Sequence, residues 1–165
     1  MPPYDAKAVA NYFLAKSNQL SSMKLQKLVY FAHGWHLALY DTPLIDECIQ
    51  AWHYGPVIET LYHEFKRFGN DPIKKPAIIW NLEGTQFNPD MPEIQPEDTQ
   101  TRQFLDRIWD VYGNFSGGQL ANLTHAPETP WEEIRKQYPD SPIPKKTTIP
   151  DDRIKAYFID KGNAA

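Results

Sequence analysis

Five histidines are the side chains in this sequence best suited to metal binding or to proton transfer near neutral pH. They lie at positions 33, 36, 53, 63 and 125. His33 and His36 are three residues apart in a predicted helix, but there is no His-Glu-x-x-His pattern and no carboxylate one turn away. We therefore predict histidines that are packed or hydrogen-bonded in an aromatic core, with no metal site and no cofactor.

Cys48 is a candidate nucleophile if folding brings it within hydrogen-bond reach of His53 or His125. No local pattern supports this arrangement, and a lone intracellular cysteine is more often a small buried apolar side chain. The sequence also lacks Gly-x-Ser-x-Gly, P-loop and dinucleotide-binding glycine patterns. We predict a buried Cys48 and no catalytic residues, so the chain is not an enzyme; a thiol- or histidine-dependent hydrolase stays an alternative.

Lys24 and Lys27 occupy the opening turns of a predicted helix, where the helix dipole opposes positive charge. The opposing cost is several tenths of a kcal/mol per lysine. We expect each lysine to pair with a carboxylate of the same chain, or alternatively to face a charged partner surface or ligand. Gly34, inside the same helix, costs about 1 kcal/mol relative to alanine, and a close backbone approach would justify this cost.

The composition is that of one globular domain, which we assign to residues 1–165. The chain is 41% hydrophobic and 23% charged, so it differs from the apolar-poor, charge-rich composition of disordered chains. A chain of this length buries about 70% of the surface that its unfolded form exposes, which is enough for a packed core without disulfides.

Charge and segment patterns limit the compartment and the partners. A single cysteine, no signal-peptide pattern and no membrane-length apolar run predict a cytoplasmic protein without a membrane partner. The formal net charge is −4, and the basic pairs lack interleaved aromatic residues, which argues against a nucleic-acid partner. A helix-turn-helix is not excluded by these patterns, so a DNA-binding transcriptional regulator remains an alternative.

Hydrophobic periodicity predicts a mainly α fold. The strongest pattern runs from Met23 to Tyr40 and is apolar nearly all round, as expected of a helix contacted from several directions. A first helix begins at the N-cap residue Asp5, and another runs from Pro56 to Phe68, with proline at its first position and Gly69 as its C-terminal cap. We predict a compact bundle of about six or seven helices around the central helix 23–40, with a small antiparallel β element.

The remaining elements are shorter. Short strands are predicted at Ile49 to Tyr54 and Lys146 to Ile149. The proline-rich stretch 70–98 is predicted to be a loop with a possible strand at Ala77 to Leu82. Further helices are predicted at these places: from about Thr99 to Phe115, after capping boxes at Ser116 and Thr129, and from Pro150 to the carboxyl end.

The aromatic residues exceed what one small core needs. Five tryptophans and nine tyrosines carry polar edges that must be satisfied when buried, so some should reach the surface. Trp52 and Tyr54, next to Gly55 and Pro56, would offer aromatic side chains beside exposed helix-start amides, a combination suited to gripping another protein. The alternative is that they only join the strand to the helix.

Several motifs together resemble the Panacea domain, also called the SocA-like antitoxin domain, of bacterial and phage toxin-antitoxin systems. The helix Lys24-Leu-Gln-Lys-Leu-Val-Tyr-Phe-Ala-His-Gly-Trp-His36 is similar to the signature helix of that family. Ile49-Gln-Ala-Trp-His-Tyr-Gly-Pro-Val57 with Leu61 and Tyr62 is similar to its second block. Thr124-His125 with Pro130-Trp131, and Ile149-Pro150 with Tyr157-Phe158, are similar to later blocks.

The resemblance implies a non-enzymatic antitoxin that binds a cognate toxin, encoded by an adjacent gene, and suppresses it. No long segment before residue 5 or after residue 160 reads as a separate DNA-binding domain, so operator autoregulation is not expected. The family's recurrent positions either contact the toxin or maintain the fold. The resemblance therefore implies these candidate partner-binding residues: Lys24, Lys27, Trp52, Tyr54, Gly55, Pro56, His125 and Trp131.

Overall fold

The fold is mainly α with a small β part, as the periodicity predicts. The structure, a computed structural model, describes residues 1–164. Its helices are α1 (Ala6–Leu14), α2 (Ser22–Tyr40), α3 (Glu59–Phe65), α4 (Thr99–Tyr112), α5 (Gly117–His125), α6 (Pro130–Lys136) and α7 (Asp151–Asn163). Its strands are β1 (Ile49–Trp52), β2 (Gly55–Val57), β3 (Ile79–Glu83), β4 (Gln86–Asp90) and β5 (Thr148–Ile149). No helix within this range is long and apolar enough to span a membrane.

Side-chain caps set the start of most helices. The Asp5 side chain accepts from Lys7 N at α1, which confirms the predicted N-cap. Ser116 and Gln119 form a complete capping box at α5. At α6 the Thr129 side chain accepts from Glu132 N as predicted, but the Glu132 carboxylate accepts from Glu128 N instead of closing the box on Thr129.

Helix α2 packs against five other helices and one strand: α1, α3, α4, α5, α7 and β2. Twelve of its nineteen residues are buried. Gly34 is the closest approach: a Cβ built on it would lie 2.1 Å from Cε2 of Phe158 in α7. A close approach at Gly34 is therefore confirmed, but the approaching group is an aromatic side chain and not the backbone of another element.

Strands β2, β1 and β5 form an antiparallel sheet in that order. The prediction of a helix from Pro56 is wrong: Pro56 lies in β2, opposite Ala51, and α3 begins at Glu59. Proline is compatible with this position because β2 is an edge strand, whose outer side needs no N–H for the ladder. The helix also ends earlier than predicted, with a 3-10 turn at Lys66–Phe68 before Gly69, whose φ is +57°.

The stretch 70–98 contains more regular structure than predicted. Strands β3 and β4 form a hairpin across the two-residue turn Gly84-Thr85, with Leu82 opposite Phe87 and Trp80 opposite Pro89. The possible strand at Ala77 to Leu82 is thus shifted by two residues at its start, and β4 was not predicted at all. Asn88 and Pro89 are depleted in strands, which explains why local propensity indicated a loop.

Candidate functional site

The outer edge of β2 is closed by two buried polar side chains of α2. Lys27 Nζ donates to the carbonyl oxygen of Pro56 across 3.0 Å. Gln26 makes two bonds with Ile58: its Nε2 donates to the carbonyl oxygen at 3.0 Å, and its Oε1 accepts from the backbone N–H at 2.9 Å. Pro56 itself has no N–H to satisfy. The outward-facing backbone groups of Pro56 and Ile58 are thereby hydrogen-bonded without a further strand.

Gly55 makes the close contact between β2 and the helices. Its φ is +116°, and a Cβ built on it would lie 3.0 Å from His125 Nε2, 3.1 Å from Thr124 Oγ1 and 3.2 Å from Lys27 Nζ. Only glycine can adopt this φ and leave room for these three atoms without a large energetic penalty. Three polar atoms from α2 and α5 therefore surround one point of the hairpin.

Burial depresses the pKa of both basic groups at this point. Lys27 is 3% exposed, and removal of its ammonium from water lowers its pKa to about 8. Burial also lowers the pKa of His125, and the neighbouring Lys27 charge lowers it further. Within the described residues His125 Nε2 is buried without a hydrogen-bond partner.

Trp131 completes the attachment of the hairpin. Its Nε1 donates to the carbonyl oxygen of Trp52 at 2.6 Å, and its ring stacks on His125 with centroids 4.2 Å apart. Five residues thus hold one end of the β1–β2 hairpin against α2, α5 and α6. We call this group the hairpin anchor: Lys27, Gly55, Pro56, His125 and Trp131.

The turn of the same hairpin is exposed. His53 and Tyr54 form it, and Tyr54 is 72% exposed. Beside the turn, the half-buried Trp52 packs edge-to-face on the exposed Tyr62 at 4.8 Å. We call Trp52, Tyr54 and Tyr62 the aromatic tip. Trp52 Nε1 donates to Gln50 Oε1, which satisfies the polar atom of the indole ring.

Lys24, one helical turn before Lys27 in α2, bonds to the carboxyl end of α4 instead of to the hairpin. Its Nζ donates at 2.5 Å to the carbonyl oxygen of Gly113, the C-cap residue of α4, and lies 5.7 Å from the centroid of the Trp109 ring. Burial lowers the pKa of Lys24. The expectation of carboxylate partners is wrong for both lysines, because within residues 1–164 each uses a carbonyl oxygen instead. For Lys24 the negative end of the α4 dipole supplies the compensation that we expected from a carboxylate.

The remaining histidines divide into two groups. His33 is buried with its Nε2 2.9 Å from Asp151 Oδ1, and His36 is buried with its Nδ1 2.7 Å from the carbonyl oxygen of Thr42. Both are packed and hydrogen-bonded, as predicted. His53 and His63 are exposed, so the prediction of a core position is wrong for these two.

Cys48 is exposed, which contradicts the predicted burial. It precedes the buried residue Ile49 at the start of β1, and neighbouring side chains in a strand point to opposite faces. His53 follows the other end of β1, about 16 Å away along an extended chain. Cys48 lines neither the cavity of about 630 Å³ between α1 and the stretch 73–94 nor the smaller cavity beside His36.

The structure thus brings together seven of the eight predicted site residues around the β1–β2 hairpin, with Lys24 apart. Sequence reasoning did not single out Gln26 or Thr124 for this site. Gln26 could have been found from the sequence. It is a polar residue between Leu25 and Leu28 in a helix that is apolar nearly all round, and a buried polar side chain needs a hydrogen-bond partner.

Comparison with known proteins identifies the family. The family model described as "Antitoxin SocA-like, Panacea domain" matches residues 25–132. The chain is also 35% identical over 135 residues to "Antitoxin SocA" of Caulobacter vibrioides (strain NA1000 / CB15N), covering 79% of this chain and 70% of that protein. The chain belongs to the SocA-like antitoxin family, with a Panacea domain. No solved structure matches it.

The match to the Panacea domain includes the whole hairpin anchor and the aromatic tip. Lys24 lies one residue before the matched range. Strands β3 and β4 also fall inside the range, although none of the motifs that carry the resemblance lies in them. The resemblance inferred from the motifs is therefore confirmed.

Proposed function

We propose that this Panacea domain is an antitoxin that neutralises a cognate toxin by binding it directly in the cytoplasm. The toxin is encoded by an adjacent gene, and the antitoxin itself makes and breaks no covalent bond. Membership of the antitoxin family supports the general role. The family implies the toxin as partner, and the proposed binding mode rests on the geometry of the β1–β2 hairpin.

The observation that carries the proposal is the exposed Tyr54 on a turn whose two strands are hydrogen-bonded to the helices behind them. Lys27 and Trp131 hold the two strands through the carbonyl oxygens of Pro56 and Trp52. A fixed backbone loses little conformational entropy on binding, so most of the contact energy of an exposed aromatic side chain remains available for affinity. Tyrosine and tryptophan are the residue types enriched at energetically dominant interface positions.

The predicted partner-binding residues divide into two roles in this proposal. Trp52 and Tyr54 contact the toxin, and the hairpin anchor positions them. Lys24 joins the start of α2 to the end of α4 and contributes to the toxin site through the stability of that junction. Tyr62, which supports Trp52, extends the contact surface.

Co-expression tests the proposal. The gene adjacent to the one for this chain is expressed from an inducible promoter, alone and together with the chain. We expect growth arrest with the adjacent gene alone, growth with both, and co-purification of the two proteins. An adjacent product that is harmless alone, or equally toxic in the presence of the chain, contradicts the antitoxin role. Rescue of growth without co-purification contradicts direct binding.

A further inference from the structure

The cavity between α1 and the stretch 73–94 is not used by the proposed function. Its volume is about 630 Å³, within the range of about 300–1,000 Å³ that is typical of ligand-binding clefts. Half of its fourteen lining residues are apolar or aromatic, and one of them, Met91, is 48% exposed. Methionine adapts its shape to the group that packs against it. Neither the hairpin anchor nor the aromatic tip lines the cavity, so it is a separate candidate site.

The charged residues in this lining are mainly basic. Lys16, Lys74, Lys75 and Arg102 carry positive charge, and Glu93 carries the one negative charge of the lining. The whole chain has the opposite balance, with 17 lysine and arginine residues against 21 aspartate and glutamate residues. The cavity is therefore a positive region on a negatively charged chain, and it favours an anionic ligand.

Most of this positive charge is not neutralised by the chain itself. Lys74 and Lys75 are exposed, and within residues 1–164 neither forms an ion pair; Lys74 Nζ donates to a backbone carbonyl oxygen. Arg102 also donates to carbonyl oxygens, through Nε and Nη2, which leaves Nη1 for a ligand. Asp106 pairs with Lys16 and acts on Arg102 at longer range. The lysine pair therefore supplies the largest uncompensated charge.

The arrangement of the basic groups indicates which kind of anion fits. They come from three separate segments of the chain, and Lys16 Nζ and Arg102 Cζ lie 5.1 Å and 5.5 Å from the centroid of the Tyr12 ring. The carboxyl end of α1, at Leu14, also borders the cavity. Phosphate groups are usually bound by free backbone N–H groups at the amino end of a helix, whereas the carboxyl end carries partial negative charge. Single carboxylates distributed along a peptide, with an apolar side chain between them, fit separate cations around an apolar floor better.

We propose that this cavity binds a segment of the cognate toxin in which aspartate or glutamate residues flank an apolar side chain. The inference rests on the proposed function, which supplies the toxin as the protein partner, and it adds a second contact to the aromatic tip. The apolar side chain packs beside Met91, and the flanking carboxylates pair with Lys74, Lys75 and Arg102.

The test measures binding of the purified chain to the purified product of the adjacent gene at low and at high salt. The variant Lys74→Glu/Lys75→Glu reverses the charge of two exposed side chains and should weaken binding about tenfold at low salt and less at high salt. The matched control is Lys66→Glu/Arg67→Glu, which makes the same change in net charge at two exposed residues outside the cavity. The control should change the affinity less than about twofold.

A second variant should increase the affinity, which a damaged fold does not do. Glu93→Gln removes the one carboxylate of the lining, and Glu93 is exposed, so the fold should tolerate the change. We expect binding about threefold tighter at low salt and little change at high salt. If Lys74→Glu/Lys75→Glu unfolds, Glu93→Gln alone decides.

Each outcome decides the inference. If the original chain binds and neither cavity variant differs from it, or if the control loses as much affinity as the lysine variant, the cavity assignment is wrong and the antitoxin role stands. If the original chain does not bind the adjacent product, the proposed function fails and the cavity site with it. Inorganic pyrophosphate that binds the free chain but not Lys74→Glu/Lys75→Glu would make a phosphate-bearing molecule the ligand. A dimer of the free chain that this variant dissociates would make a second copy the occupant, and either result overturns the toxin assignment.

Discussion

Lys27 Nζ and the carbonyl oxygen of Pro56 are joined by a hydrogen bond of 3.0 Å between the signature helix and an edge strand. In an antiparallel hairpin with a two-residue turn, the second residue pair from the turn directs its carbonyl groups away from the partner strand. Pro56 is in that pair, so its oxygen points outward and meets the ammonium group. The bond satisfies a buried acceptor but keeps a positive charge out of water.

Stability should depend on pH through Lys27. Its folded pKa of about 8 lies below the ordinary lysine value, so the unfolded chain binds more protons between pH 8 and pH 10.5. The burial penalty is therefore fully present below pH 8 and is relieved as pH rises through that window, by on the order of 3 kcal/mol. Urea unfolding at pH 7, 8, 9 and 10 measures this. The rise should be smaller in Lys27→Met, where the lowered pKa of Lys24 still contributes, and unchanged in Lys75→Met, where the lysine is exposed. Equal pH slopes in the two variants contradict the prediction.

The close packing of Gly55 makes a second prediction. Gly55→Ala forces a side chain into a φ of +116° and against His125, Thr124 and Lys27, so we expect a loss of about 2–4 kcal/mol. Gly69→Ala is the matched control: its φ is +57° and its ψ is −126°, a conformation that strongly favours glycine, but no described atom lies within 4 Å of the added Cβ. Only the backbone cost of about 1–3 kcal/mol therefore applies. Chemical denaturation of the two variants gives both values. Equal losses would show that the contacts at Gly55 are not tight.

Gly34 tests the packing of α2 on α7. Gly34→Ala should destabilise by about 1–3 kcal/mol, because the added methyl group overlaps the Phe158 ring, although alanine favours the helix by about 1 kcal/mol. Phe158→Leu in the same chain should recover part of the loss. Gly118→Ala, where the nearest atom is 3.9 Å away, should be neutral or stabilising. Thermal unfolding of the single and double variants measures these changes in stability. A Gly34→Ala variant that is more stable than the original chain contradicts the predicted overlap with Phe158.

The sequence predicted the helices well because their signals are local. Apolar spacing located α2 and α4, and capping residues at Asp5, Ser116 and Thr129 located the starts of α1, α5 and α6. Each of these signals depends on residues within four or five positions of one another. The close packing at Gly34 could also be predicted, because glycine destabilises the interior of a long helix and is expected there where another group packs closely.

The errors occurred where distant residues decide the local structure. Gly55-Pro56 has the local pattern of a helix start, but Gln26 and Lys27, about thirty residues earlier, provide the partners that make it an edge strand. Carboxylate partners for the lysines were the reasonable local expectation, and their carbonyl partners depend on where α4 and β2 end. Likewise, β4 contains residues with low strand propensity, and within residues 1–164 its one partner strand is β3.

Tyr54 separates binding from stability. Because it is 72% exposed and lies on a turn, Tyr54→Ala should change the free energy of unfolding by less than about 0.5 kcal/mol. At the centre of an interface the same truncation should cost about 2 kcal/mol of binding, roughly a 30-fold loss of affinity for the toxin. Leu39→Ala, a 62% exposed position near the end of α2, is the matched control and should leave affinity unchanged. Calorimetric titration against the adjacent gene product, with urea unfolding of the same samples, measures both quantities. Unchanged affinity in Tyr54→Ala would place the toxin contact elsewhere, and a large loss of stability would show that Tyr54 serves the fold.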